Sequence, residues 1–272
     1  MKTKELGSKT GKMLIFGGVY SNLQALERLH SIAASKNIPP QNIICTGDIV
    51  GYCAQPDECL RYVKKWGIHS ITGNVELQIR NGDESCGCNF DEGTRCDIFS
   101  RSWYPYAFNA VSDEMKEWLK DMPEFLRFTF EGKKGLVLHG GLTDVSQFIF
   151  HSTDWQVKRE IIERANVDFI LAGHCGLPFA EKKEDKHWLN GGVIGMPAND
   201  GTHRVWYLTI DDKNGFEYQH HSFEYDHEEA ARLMNLQSLP SSYAKTLSTG
   251  IWDNCEILPE AETALQGARI KF

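Results

Sequence analysis

Short apolar runs, each followed by glycine and then by apolar residues at helical spacing, recur along the chain. Residues 13–16 form the first run. It passes through Gly17-Gly18-Val19-Tyr20-Ser21 into Leu23, Leu26, Leu29 and Ile32 or Ala33, the spacing of a helix packed by one face, with Ser21 placed as its N-cap. Residues 42–45 repeat the pattern as a second strand. A loop over Gly47-Asp48-Ile49-Val50-Gly51-Tyr52 leads from it to a helix opened by Pro56 and carried by Leu60, Val63 and Trp66. Residues 68–71 are a third strand, ending at Gly73-Asn74. Beyond them, residues 81–101 are rich in Gly, Asp and Cys and show no period, so they read as a loop inserted in the scaffold. In the second half a helix follows Ser112, and residues 125–130 alternate as a strand with one wet face. Residues 136–138 end at His139-Gly140-Gly141; a helix over 154–165 leads to a strand over 168–171 that ends at Gly173-His174-Cys175-Gly176. An alternating hairpin, 204–210 and 216–223, precedes a helix from Glu228. This alternation predicts an α/β protein in which five strand ends each deliver a glycine-flanked loop, the place where such folds gather ligands.

No repeat and no Pro- or Ser-rich linker divides the 272 residues, which favours one domain over 1–272: a core over about 13–226, a Cys-bearing insertion over about 81–104 and a helical extension over about 227–272. The formal net charge of −8 argues against an extended nucleic-acid surface or an anionic membrane surface, since both draw on clustered Lys and Arg. A small phosphorylated partner fits that balance. Residues 1–12 carry four lysines and no apolar run, so the expectation is a cytoplasmic chain with no membrane span. Eight dispersed cysteines in a chain of this length read as reduced thiols. Cys86, Cys88 and Cys96 are the densest group. They are open to three readings: a thiolate metal site completed by Cys53 or Cys175, a redox pair joining Cys96 to either partner, or thiols that a loop tolerates.

Chemistry-bearing groups sit at the strand ends. Taken singly, Asp48 reads as a turn residue, and His139 or His174 as a ring satisfying a carbonyl. Together with the amide oxygen of Asn74 they form a mixed N/O set suited to Mn, Fe, Zn or Ni. The ordered set Gly47-Asp48-Ile49-Val50-Gly51-Tyr52, Gly73-Asn74, His139-Gly140 and Gly173-His174 resembles the calcineurin-like metallophosphoesterases, closest to their compact bacterial and archaeal single-domain phosphodiesterases. Residues 21–26 are similar to that family's first helix and residues 192–197 to its late Gly-Ser-Val-Gly turn, so the resemblance spans about 13–226. It implies a four-layer α-β-β-α sandwich with a metal site across the strand ends, hydrolysing phosphate mono- or diesters.

The resemblance also marks departures. Where the family holds its first metal with the Asp and His of Asp-x-His and the second His of Gly-His-x-His, this chain has Gly18, Tyr20 and Gly176. The family's general-acid position, the His after Asn, is Val75. The second-metal ligands, Asp48, Asn74, His139 and His174, are all retained. The resemblance therefore implies one divalent metal or a rebuilt pair, with weakened or altered hydrolase activity. Gly17, Gly18, Tyr20, Asn22, Tyr52, Cys53, Cys175, Arg95 and Arg101 are candidates for substrate contacts or replacement ligands, with Trp103 and Tyr104 beside them. The Gly17-Gly18 amides suggest an anion cradle ahead of a helix. The rival readings are an inactive descendant that binds a phosphorylated ligand or a protein, and thiol-based metal or redox chemistry in the insertion.

Overall fold

Runs such as Met13–Phe16 bury every side chain, because helices cover one face of their sheet and a second sheet covers the other. The computed structural model describes residues 2–272. In chain order its strands are β1 (Thr3–Lys9), β2 (Met13–Phe16), β3 (Ile43–Cys45), β4 (His69–Ser70), β5 (Phe125–Phe130), β6 (Lys133–Val137), β7 (Phe169–Ala172), β8 (Pro178–Lys183), β9 (Lys186–Gly191), β10 (Val205–Asp211) and β11 (Glu217–Phe223). Its helices are α1 (Leu23–Ser35), α2 (Pro56–Trp66), α3 (Asn74–Asn81), α4 (Arg95–Ala110), α5 (Asp113–Asp121), α6 (Trp155–Ala165), α7 (His227–Leu236), α8 (Ser241–Thr249) and α9 (Glu260–Thr263).

The strands form a five-stranded sheet in the order β11-β10-β2-β3-β4 and a six-stranded sheet in the order β1-β5-β6-β7-β9-β8. Met13, Ile15, Ile44, Leu126, Phe169 and Leu208 meet between the sheets as an apolar layer. The other face of the five-stranded sheet is covered by α1, α2, α4, α5, α7 and α8; the other face of the six-stranded sheet is covered by α6 and part of the chain after α8. This is the α-β-β-α layering that the resemblance implied. No helix among the described residues is long and apolar enough to cross a membrane.

Several expectations need correcting. Asn22, not Ser21, caps α1: its Oδ1 accepts the Ala25 N–H, while its Nδ2 donates to the Gly195 carbonyl and to the Tyr225 hydroxyl oxygen. Asn22 is thus a buried structural hub and not a substrate contact. The stretch 81–104 is not loop throughout, because α4 starts at Arg95, capped by Thr94, and buries Cys96, Trp103, Tyr104 and Ala107. The lysine-rich N-terminal segment is a strand, β1, paired in parallel with β5 at the sheet edge. Lysines on such an edge discourage pairing with another chain.

Three imidazoles outside the His139 and His174 pair tie stability to pH. Burial pulls His220, His187 and His69 down to about 4, helped at His187 by Lys182 and Lys133 and at His69 by Lys9 and Lys4. The unfolded rings, near 6.5, take up protons first as pH falls. Stability is therefore complete above about pH 6.5 and declines toward about pH 4. Urea midpoints that stay flat across this window contradict the assignment.

Candidate metal centre

The ends of both sheets meet at one point. Asp48 follows β3, Asn74 opens α3 after β4, His139 follows β6 and His174 follows β7, so each sheet contributes two groups. Asp48, His139 and His174 are buried, and each offers a ligand atom within 4.8 Å of the others. Around His139 Nε2 lie Asn74 Oδ1 at 3.1 Å, His174 Nδ1 at 3.1 Å and Asp48 Oδ2 at 3.2 Å.

The orientations of these groups are fixed from behind. His139 Nδ1–H donates to the Thr46 carbonyl across 2.7 Å, which leaves Nε2 with its lone pair facing inward. Asn74 Nδ2 donates to the Cys86 carbonyl at 2.9 Å and to Cys88 Sγ at 3.3 Å, so its oxygen faces inward as well. Burial lowers His139, but the charge and hydrogen bond of Asp48 outweigh it and the net shift is upward. Burial and His139 hold His174 neutral, down to about 3. Oδ1 of Asp48 and Nε2 of His174 have no hydrogen-bond partner. A proton on His139 Nε2 can point at only one of three acceptors, whereas a cation answers all of them. This donor set fits a divalent metal of intermediate softness.

Backbone strain accompanies this convergence. Tyr20, Asp48 and His174 all take positive φ, at 51°, 55° and 61°, which non-glycine residues seldom do outside functional or tightly constrained turns. Gly73 has to be glycine, because a Cβ there would run into the Asp48 carboxylate.

Sequence reasoning overlooked Glu76. Fully buried, it accepts N–H bonds from Asp48 and Gly73 on Oε2 and from Val50 on Oε1, and so clamps the Asp48 loop to the start of α3. Burial and Asp48 raise its pKa, while the backbone donors pull the other way. An acid three residues into a helix behind glycine was the available signal.

The other expected residues divide into wall and scaffold. A cavity of about 80 Å³ opens beside Asp48, Asn74 and His174; its walls include Tyr20, Tyr52, Phe148, Met196, Tyr243 and Trp252. Cys88, Cys96, Cys175 and Gly176 also line it. Cys175 Sγ lies 3.2 Å from Asn190 Nδ2 and 3.6 Å from the Leu177 carbonyl, and Cys53 Sγ lies 3.9 Å from the Gly195 carbonyl. These thiols brace backbone and amide. All eight cysteines are free, and among the described residues Cys86, Cys88 and Cys96 join no three-ligand group. Gly17 and Gly18 form no anion cradle, since their N–H groups already donate to the Gly192 and Gly47 carbonyls at 3.1 Å. Arg95 is paired with Asp253 at the rim and Arg101 with Asp97 on the exposed side of α4, so neither guanidinium faces the cavity. Trp103 and Tyr104 are core residues.

Gly18 and Gly176, two of the positions where the sequence departs from the family resemblance, are closely packed. A Cβ on Gly18 would lie 2.5 Å from Val193 Cγ1 and 2.6 Å from Tyr20 Cζ, at a φ of 41°, and one on Gly176 would touch the Trp252 indole at 3.3 Å. Gly18→Asp is expected to destabilise by about 2 kcal/mol or more through overpacking and backbone strain. It should leave metal stoichiometry unchanged. Thermal melts and elemental analysis check both points; a second bound ion with unchanged stability would contradict them.

The chain is similar to known proteins over most of its length. The profile of the calcineurin-like phosphoesterase superfamily domain matches residues 12–213. An uncharacterised protein of Methanocaldococcus jannaschii is 24% identical over 252 residues, covering 87% of this chain and 97% of that protein. Two solved structures share the fold. A hypothetical protein from Pyrococcus horikoshii has a TM-score of 0.72 at 18% identity over 89% of this chain and 99% of its own. A metallophosphoesterase from Sphaerobacter thermophilus has a TM-score of 0.68 at 20% identity over 89% of this chain and 100% of its own.

Proposed function

The chain belongs to the calcineurin-like phosphoesterase superfamily, and from that premise we propose that it is a metal-dependent hydrolase of a small phosphate ester working with a single divalent ion. Asp48, Asn74, His139 and His174 would hold that ion. The observation that carries the reading is the convergence of three acceptor atoms on the lone pair of His139 Nε2 within 3.2 Å. Mn, Fe, Zn or Ni all suit this donor set.

A bound ion supplies Lewis-acid polarisation of a phosphoryl oxygen and a water of lowered pKa. The protein supplies the rest. Burial, reinforced by Asp48, raises the Tyr20 phenol far enough to keep its proton, so Tyr20 serves as a hydrogen-bond donor to a phosphoryl oxygen. Its ring stands where the family resemblance puts a first-metal ligand. Val75 packs in the apolar core and can donate no proton, so the position of the family's general acid supplies none here. The aromatic walls exclude water and strengthen the field of the charged pole.

Purification without chelators followed by elemental analysis is expected to give about one transition metal per chain, and the loaded protein is expected to hydrolyse members of a phosphoester panel. One metal without turnover supports the rival reading of a ligand-binding descendant. Neither metal nor turnover overturns both the ion site and the hydrolase.

A further inference from the structure

The chamber beside the ligand set has a chemistry of its own. Tyr20 meets Tyr52 edge-on at 4.7 Å between ring centroids, and Tyr52 meets Tyr243 edge-on at 5.0 Å. Phe148 packs on the His174 ring at 4.3 Å. Trp252 is pinned over Gly176 by its Nε1–H, which donates to the Pro197 carbonyl at 2.7 Å. These are pre-oriented ring faces and edges, the surroundings an aromatic guest selects. Tyr243, Thr246 and Trp252 lie beyond residues 12–213, so this wall belongs to the chain's own C-terminal segment and not to the part matched by the family profile.

Charge narrows the guest further. No Lys or Arg lines the chamber, and its two carboxylates, Asp48 and Asp253, are committed to the ion site and to Arg95 respectively. A phosphomonoester dianion or a polyphosphate finds no side-chain cation here, whereas a phosphodiester brings one negative charge. Leaving-group chemistry points the same way, because a site with Val75 at the family's general-acid position suits an alcohol that departs readily as its anion. A phenol, with a pKa of about 10, does so far better than an aliphatic alcohol.

We propose that the site takes monoanionic phosphodiesters of an aromatic alcohol, with the ring seated among Tyr52, Tyr243 and Trp252 and its oxygen as the leaving group. The proposal rests on the reading of the site as a metal-dependent phosphoesterase. In the reaction, water adds its oxygen to phosphorus and the P–O bond to the ring oxygen breaks. The aryloxide leaves with the bonding pair and takes up the proton that water releases.

The test uses the full-length, metal-loaded protein. Methyl phenyl phosphate is compared with methyl hexafluoroisopropyl phosphate, whose leaving alcohol is of similar acidity but carries no ring, and with phenyl phosphate, the dianionic monoester. The expected kcat/KM for methyl phenyl phosphate is about tenfold or more above the ringless diester, from two or more ring contacts, and also above phenyl phosphate, whose second negative charge meets no lining cation. Calorimetry with methyl phenylphosphonate, whose ring is held by an uncleavable P–C bond, should show binding about tenfold tighter than methyl methylphosphonate. Tyr243→Ala should reduce both preferences; if it melts below the assay temperature, Met196→Ala carries the same expectation. Bound metal and turnover with equal rates on ringed and ringless diesters, or faster turnover of the monoester, overturn the proposal and leave the hydrolase reading intact. No metal and no turnover on any ester, with neither phosphonate bound, overturn both.

Discussion

Asp48→Asn is expected to leave a folded protein that no longer holds its ion and hydrolyses phosphate esters about 10³-fold or more slowly than the parent. The substitution keeps shape and removes charge. Asp48 is the only anionic member of the set Asp48, Asn74, His139 and His174, so without it the ion faces neutral donors alone. Loss of the Lewis acid costs several kcal/mol of transition-state stabilisation, and each 1.4 kcal/mol is about a factor of ten in rate. Stability of the metal-free protein should hold or rise, because a buried carboxylate with an unpartnered Oδ1 is replaced by a neutral amide. Elemental analysis, steady-state kinetics and a melting curve check the three parts. A variant that retains stoichiometric metal and at least a tenth of the parent rate would remove Asp48 from the centre.

Glu76→Ala acts on the same loop by a different route and should be the costliest single change to stability. It strands three buried N–H donors, on Asp48, Val50 and Gly73, and opens a void at the start of α3. Breaking such a buried, hydrogen-bonded charge is expected to cost about 3–5 kcal/mol, or roughly 10 °C in melting temperature for a domain of this size. Glu76→Gln should recover part of that loss, since one amide oxygen still accepts while the amide nitrogen opposes another donor. Equal stability of the Ala variant and the parent would show that the loop does not depend on the clamp. Metal affinity should fall with stability, because the clamp holds Asp48 in its positive-φ conformation.

Strands buried on both faces were legible because they need continuous apolar runs, and the residues of the proposed ion site stood out because each followed such a run beside glycine. Asp48, Asn74, His139 and His174, which converge in the fold, could be singled out without knowing which strands paired. β1 was missed because Thr3–Lys9 is mostly exposed and carries lysines, so it has no apolar signature. α4 was obscured by Pro105 and by a weakly segregated buried face. Glu76 was missed because its partners are backbone N–H groups, which no side-chain pattern encodes. The expectation of an anion cradle at Gly17-Gly18 failed for the same reason: whether a backbone N–H is free depends on Gly192 and Gly47, remote in sequence from any motif. The chamber was least legible of all. Tyr20, Phe148 and Trp252 come from three distant stretches, and only tertiary packing makes neighbours of them.

After β11 the chain runs through α7 and α8 in the helical layer on the five-stranded sheet, then carries Trp252, Ile257 and Leu258 across to the layer on the six-stranded sheet. Synthesis proceeds from the N-terminus, so a nascent chain completes all four ligand residues by His174 and gains Tyr243 and Trp252 only some seventy residues later. At His174 the chain still lacks β9 and β10, which pair with β7 and β2, so the four groups are brought together only once later strands are in place. On the proposed reading, the last segment to emerge therefore supplies the aromatic wall of a site whose four candidate ligand residues all come earlier in the chain.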